Sequence, residues 1–285
     1  MTGTVDSPSP ALSTPRSALF VPADAPSRHA RAFAAGADAV ILDLEDSVAP
    51  GAKDRARAEL AESEALSERI GSSPAYVRIN SPLTPAGQAD LEAAAGWGVD
   101  ALMVPKSDPD AVGLAAAAGL PLIALIETAT GIFRAPETLA HPSVAIAMLG
   151  PVDLAADLGV SESHDGDELL VARGILVLAA AAAEKPGPLD GPCVAVRDRA
   201  ALAAEIARAK RLGFAGKTCI HPAQVEAVTT AFSPSQGEVD WAGSVIREFE
   251  AAGGGVAVLD GRMIDPPVVL RARQILANEE RNNER

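Results

Sequence analysis

The 285-residue sequence is poor in aromatic side chains, which make up 3% of it, and has only two cysteines and four histidines. Cys193 and Cys219 each sit inside an apolar run of strand character, which argues against a disulfide framework or a zinc site and for buried thiols. Cations are also scarce: 24 Lys and Arg stand against 38 Asp and Glu, a formal charge of −14. That balance excludes a nucleic-acid-binding surface, whose affinity comes from many cationic contacts to phosphate. Long hydrophobic runs are missing too. The charge-free stretch Ala111–Ile126 is broken at Gly119 and Pro121 and falls short of the ~20 residues of a membrane span. The opening MTGTVDSPSPALSTPR lacks the apolar core of a signal peptide. Residues 1–14 are expected to be a disordered Ser/Thr/Pro leader, and the protein to be cytoplasmic.

What is present is ample core material: 48% of the residues are hydrophobic and 22% charged. After Pro15, short apolar runs of strand length alternate with longer Ala-rich, charge-dotted runs of helical length. The predicted strands are Ala18–Pro22, Ala39–Asp43, Ala75–Ile79, Ala101–Pro105, Leu122–Ile126, Val144–Leu149, Cys193–Val196 and Phe214–Ile220. Several are apolar at consecutive positions, as strands buried on both faces of a parallel sheet must be. Eight such units predict an α/β fold of (β/α)8 TIM-barrel type over residues 15–232. An open doubly wound sheet is the alternative, but no G-x-G-x-x-G opens the first helix. Residues 233–285 exceed what a barrel needs and predict a helical appendage, a lid or an oligomerisation arm, with helices near Glu238–Ala251 and Val268–Asn278.

Barrels of this kind carry their chemistry at the C-terminal ends of the strands. The second predicted strand runs out through Asp43-Leu44-Glu45-Asp46, the third through Arg78, the fourth through Lys106, the fifth through Glu127 and the sixth through Gly150-Pro151-Val152-Asp153. Glu127 and Asp153 would meet at one mouth as an oxygen pair suited to Mg²⁺, or Glu127 would cap the following turn and Asp153 the helix beginning near Leu154. Arg78 could grip a carboxylate through two parallel hydrogen bonds, or pair with Glu45 or Asp46. Arg16 could reach a substrate or simply lie at the surface, Lys53 reads as solvent-facing, and Lys106 reads as a rim residue. No Ser-His-Asp or Cys-His arrangement can be read from the spacing.

The strings RSALFVPAD (16–24), ADAVILDLEDSV (37–48), VRIN (77–80), VPKS (104–107), ALIETATGI (124–132), LGPVDLAADLG (149–159), LGFAGKTCIHPAQV (212–225) and DGRMIDPP (260–267) keep one order along the chain. In that order they resemble the citrate lyase β-subunit-like family of CoA-ester lyases, within the HpcH/HpaI aldolase superfamily. The resemblance implies a Mg²⁺-dependent lyase that cleaves, or forms by Claisen-type condensation, a short 3-hydroxyacyl-CoA such as malyl-, citramalyl- or citryl-CoA. The products would be an acyl-CoA and a 2-oxoacid, and hydrolysis of the thioester would make the enzyme a thioesterase. By similarity, Glu127 and Asp153 would hold the metal, Glu45 and Asp46 would lie near it through water, and Arg78 would hold the 2-oxoacid carboxylate with Arg16 in support. Lys106 would also bind substrate. Asp265 matches an acid that an adjacent subunit lends to the site in several relatives, where it could act as base within a homotrimer or hexamer. The alternatives are a CoA-independent 2-oxoacid aldolase and the β subunit of a multi-protein citrate lyase served by an acyl-carrier partner. Three departures from the family pattern are Pro22-Ala23 where Pro-Gly commonly follows the first strand, Val152 before the metal Asp, and Ala195 where the seventh strand often carries Asp.

Overall fold

The computed structural model describes residues 12–68, 73–161, 163 and 165–283, so most of the expected leader lies outside the described residues. Of its last residues, Leu12 packs against the barrel core, and the Thr14 hydroxyl donates to the Gly187 carbonyl at 3.3 Å. The chain divides into two compact units between Thr229 and Thr230.

The first unit is a closed parallel barrel of eight strands in sequential order. They are β1 (Ser17–Pro22), β2 (Ala39–Asp43), β3 (Ala75–Arg78), β4 (Ala101–Val104), β5 (Leu122–Ile126), β6 (Val144–Leu149), β7 (Leu189–Asp190) and β8 (Gly216–Cys219). The helices between them are α1 (Pro26–Phe33), α2 (Lys53–Ala61), α3 (Glu64–Ser67), α4 (Pro85–Ala93), α5 (Pro109–Ala115), α6 (Ala129–Leu139), α7 (Pro151–Leu158), α8 (Leu170–Ala182) and α9 (Arg199–Leu212), with α10 (Pro222–Phe232) after β8. Four of them start where a side-chain oxygen takes up an orphan backbone N–H: Thr84, Asp108, Thr128 and Asp198.

One expected strand is displaced. The run Cys193–Val196 is a loop, and β7 is the shorter Leu189–Asp190, where Leu189 registers with Met148 on one side and Gly216 on the other. Two residues are enough to close the barrel there. Pro192, two residues beyond Asp190, has no N–H to donate, and so the ladder ends before the apolar run begins.

Parity along the strands decides what the barrel encloses, because residues paired across parallel strands share a face. The interior series includes Ala18 and Phe20 of β1, Ile41 of β2, Tyr76 of β3, Met103 of β4, Ile123 and Leu125 of β5, and Met148 of β6. Continued two residues toward the C-terminal ends, the same parity brings Asp43, Arg78 and Glu127 to the inward face. The polar mouth is thus the last layer of the core.

The second unit holds α11 (Gln236–Ala251), the antiparallel strands β9 (Ala257–Leu259) and β10 (Arg262–Ile264), and α12 (Pro266–Asn283). Ala242, Val245, Ile264, Val269 and Ala272 form its own buried cluster. The hairpin was not anticipated from sequence. Its signal is Asp260-Gly261, at φ +49° and +75°, a two-residue turn of the kind that matches strand twist. Among the described residues, no helix is long and apolar enough to cross a membrane.

Ile41 is fully buried in the barrel interior. Ile41→Ala should therefore lower the unfolding free energy by about 2–5 kcal/mol, measured by urea denaturation, through lost burial and the cavity left behind. A loss below about 1 kcal/mol would mean that the interior is not packed as described.

A candidate active site at the barrel mouth

A cavity of about 360 Å³ opens at the C-terminal ends of the strands, with Asp43, Arg78, Glu127 and Asp153 among its lining residues and Leu125 and Met148 among its apolar ones. Glu127 follows β5 directly and is 2% exposed. Its Oε1 accepts the Lys106 backbone N–H at 2.8 Å. A Cβ at Gly150 would stand 2.6 Å from Glu127 Oε2, so the space that the carboxylate occupies exists only because that residue is glycine. Burial first, and then the nearby carboxylates of Glu45 and Asp153, push the Glu127 pKa up to about 8.

Neither proposed metal acid serves as a helix cap. The N-cap of α6 is Thr128, whose hydroxyl accepts from Gly131 N–H, while Glu127 is turned into the mouth. Helix α7 begins at Pro151 after Gly150, with no side-chain cap, and Asp153 sits in its first turn lining the cavity. Both carboxylates are thereby left for a ligand. Among the described residues, no three His, Cys, Asp or Glu side chains converge into a ready cation cage.

Arg78 ends β3 and is gripped from the side by Asp43, which is paired with it in register: Nε and Nη2 donate to the two carboxylate oxygens at 2.7 Å each. The Phe20 ring lies 5.2 Å below its guanidinium carbon. The remaining edge, Nη1, is 3.1 Å from both Glu45 Oε2 and Asp46 Oδ2. Burial disfavours the Arg78 charge, but these acids, Asp43 foremost, more than reverse the effect. Burial likewise raises the Glu45 pKa, although Arg78 and Lys106 oppose it. Asp43 is the residue that the spacing did not single out. Its signal was its place in the inward parity of the second strand, opposite Arg78 in the third.

Lys106 stands at φ +47° and reaches Glu45 at 3.1 Å and Glu127 at 3.9 Å. Lys53 is not the free surface cation expected from sequence. Its Nζ donates to the Leu44 and Glu45 carbonyls at 2.8 Å each and to the Asn80 side chain, fastening the loop that carries Glu45 and Asp46. Arg16 does not reach the mouth, contrary to the supporting role that the resemblance implies. It precedes β1 and pairs with Asp38 ahead of β2, Nε to Oδ2 and Nη2 to Oδ1 at 2.7 Å each, at the N-terminal ends of the strands and away from the mouth. A side chain placed before a strand cannot support a pocket built after it. Asp265 belongs to the second unit, where its Oδ1 accepts the Val268 N–H at 3.2 Å near the start of α12.

The sequence also matches known proteins. The family model for HpcH/HpaI aldolase/citrate lyase matches residues 16–222, and a model for carbon–carbon bond lyases of the TIM-barrel fold matches residues 176–279. A (3S)-malyl-CoA thioesterase of Cereibacter sphaeroides is 40% identical over 273 residues, covering 93% of this chain and 94% of that protein. The citrate lyase subunit beta of Escherichia coli K12 is 36% identical over 289 residues, covering 94% of each. The crystal structure of Mycobacterium tuberculosis CitE in complex with magnesium, acetoacetate and coenzyme A is 36% identical with a TM-score of 0.79, covering 93% of this chain and 97% of that one. By sequence, by barrel architecture and by extent of match, this chain belongs to the HpcH/HpaI aldolase/citrate lyase family.

Proposed function

We propose that the chain is a Mg²⁺-dependent carbon–carbon lyase acting on short 3-hydroxyacyl-CoA thioesters such as malyl-, citramalyl- or citryl-CoA. The observation that carries this reading is the pair of uncapped carboxylates, Glu127 and Asp153, lining one cavity beside Arg78. The CitE structure, which holds magnesium, acetoacetate and coenzyme A, supports it by likeness.

The residues present fit the cation. Glu127 is buried with only the Lys106 backbone N–H and its ammonium at 3.9 Å to offset a carboxylate charge, and Glu45 Oε2 is buried without a hydrogen-bond partner despite lying beside Arg78. An all-oxygen donor set that leaves room for water suits Mg²⁺. Glu127 and Asp153 would hold it, with Glu45 and Asp46 near it through water. Once bound, it supplies the positive charge that makes a substrate hydroxyl easier to deprotonate.

The protein side chains do the rest. Asp43 and Phe20 fix the plane of Arg78, so its Nη1 edge is aimed in advance at a carboxylate. Of the two acids at that edge, Asp46 is 61% exposed and Glu45 only 11%, so a substrate carboxylate would displace Asp46. Lys106, half exposed beside Glu45, offers a second cation to the substrate. Leu125, Met148 and Phe20 give the cavity an apolar side that keeps bulk water from the reacting bond. Asp265, lent by a neighbouring copy in a homotrimer or hexamer, would take the hydroxyl proton. The bond between the hydroxyl-bearing carbon and the thioester α-carbon then breaks, and its electron pair moves onto the thioester carbonyl. A proton from solvent reaches the α-carbon to yield the acyl-CoA, Asp265 gives up the hydroxyl proton to solvent, and the 2-oxoacid leaves.

Thioester hydrolysis is the second reading, favoured by the relatives named (3S)-malyl-CoA thioesterase. One screen separates the two. With Mg²⁺ and malyl-, citramalyl- or citryl-CoA, a lyase releases a 2-oxoacid and an acyl-CoA, whereas a thioesterase releases free CoA and the intact hydroxy acid. Turnover of none of these, with or without Mg²⁺, would overturn the proposal.

Glu127→Gln and Asp153→Asn should each leave the circular dichroism spectrum unchanged and lower kcat by about 10³-fold, the several kcal/mol expected of a lost cation ligand. Wild-type rates in both would remove these residues from the site. Mixing Asp265→Ala chains with Arg78→Ala chains should restore part of the activity if neighbouring copies share a site, and no restoration would count against the shared base.

The metal-free protein should also be pH-sensitive. The folded pKa of Glu127, about 8, lies above its ordinary 4.5, so its contribution to stability is complete below about 4.5 and is lost as pH rises through about 8. Denaturant unfolding in EDTA should show a decline on the order of a few kcal/mol between pH 5 and 9, flattened in Glu127→Gln. Equal slopes in the two proteins would contradict the buried proton.

A further inference from the structure

The string LGFAGKTCIHPAQV puts a lysine, Lys217, on β8, outside the set of residues that line the mouth. Lys217 pairs in register with Ser17 of β1 and Asp190 of β7, and so faces the helices rather than the barrel interior. It is 1% exposed, with its Nζ 3.1 Å from Asp190 Oδ2, 2.8 Å from Glu205 Oε2 of α9, and 2.6 Å from the Gly191 carbonyl. Arg173 of α8 completes the cluster at 3.4 Å from Asp190 Oδ1. Lys217, Asp190 and Arg173 are buried there, and Glu205, 22% exposed, closes the cluster on its outer side, so each buried charge has an opposite partner.

The bond to Gly191 is the one that faces the site. Gly191 packs so closely on the Pro151 ring that an added Cβ would overlap Pro151 Cδ and come within 3.0 Å of the Leu149 carbonyl. Pro151 opens α7, and Asp153 stands two residues on in the first turn. The next residue, Pro192, lines the cavity itself. A buried side chain thus fixes a main-chain segment, and that segment fixes the start of the helix that carries Asp153.

We infer that Lys217 is a positioning residue for the cation site, holding Gly191 against Pro151 so that α7 presents Asp153 to the mouth. The inference rests on reading Asp153 as a cation ligand, and its test separates the two claims. Three variants probe the line from different points: Pro151→Ala, Gly191→Ala, and Lys217→Met combined with Glu205→Gln, which keeps the buried cluster neutral. The readout is the Mg²⁺ dissociation constant from calorimetry without substrate, with circular dichroism as the check on folding. Each folded variant should bind Mg²⁺ about tenfold more weakly than wild type, the usual effect of removing support behind a metal ligand. The rate at saturating Mg²⁺ should fall much less than the rate at limiting Mg²⁺. A purely structural role would lower the melting temperature and leave the dissociation constant of the folded protein unchanged. Pro151→Ala removes only ring atoms at a helix start, so a wild-type dissociation constant in that variant overturns the inference whatever the Lys217 variant does. Absence of Mg²⁺ binding by the wild type would instead overturn the functional proposal, and this inference with it.

Discussion

A carboxylate kept from water without a cation of its own is the constraint around which the mouth of this barrel is organised. Five acids, Asp43, Glu45, Asp46, Glu127 and Asp153, gather there with two cations, Arg78 and Lys106. Arg78 is largely committed to Asp43, and Lys106 to Glu45. Burial first, and then the like charges of Glu45 and Asp153, hold the Glu127 proton above the ordinary range, and one backbone N–H and a more distant ammonium do not offset them. A site that concentrates like charge in this way is poised to take up a positively charged ligand, because the repulsion already present in the fold is relieved on binding.

The small residues around the mouth follow from the same constraint. Gly150 makes room for Glu127, and Gly191 makes room for Pro151 at the head of α7. Lys53 and Lys217 have no place in the cavity, yet each donates to backbone carbonyls of a segment that does, at Glu45 and at Gly191. Lysines used in this way, Lys53 partly buried and Lys217 fully so, stiffen main chain rather than contribute chemistry. The acids can then be brought close without the loops spreading apart.

Much of this was legible in the sequence. Buried parallel strands must be apolar on both faces, so runs such as AVILD and LIALI marked β2 and β5 at their observed bounds. The residues following those runs named most of the rim. Strand parity carries the rest: Asp43 ends a strand at an inward position in register with Arg78, which makes it the arginine's partner. The misses share a cause, since local composition does not report what a residue meets across the fold. CVAV has strand composition but follows a proline that ends the ladder, and Leu189–Asp190 is too short to show a period. Arg16 is a family-like arginine at the wrong end of its strand. The capping alternative for Glu127 and Asp153 could be settled only by seeing that Thr128 and Pro151 begin the two helices.

The central claim is that the carboxylates of Glu127 and Asp153 share one cation. Crystals grown with Mn²⁺ in place of Mg²⁺, measured at the manganese absorption edge, would locate that ion by its anomalous signal. The account predicts a single strong peak at the barrel mouth within coordination distance of both carboxylates, at about 2.2 Å for a hard cation with oxygen ligands. A peak elsewhere, or none at the mouth with both acids paired to protein groups, would contradict it.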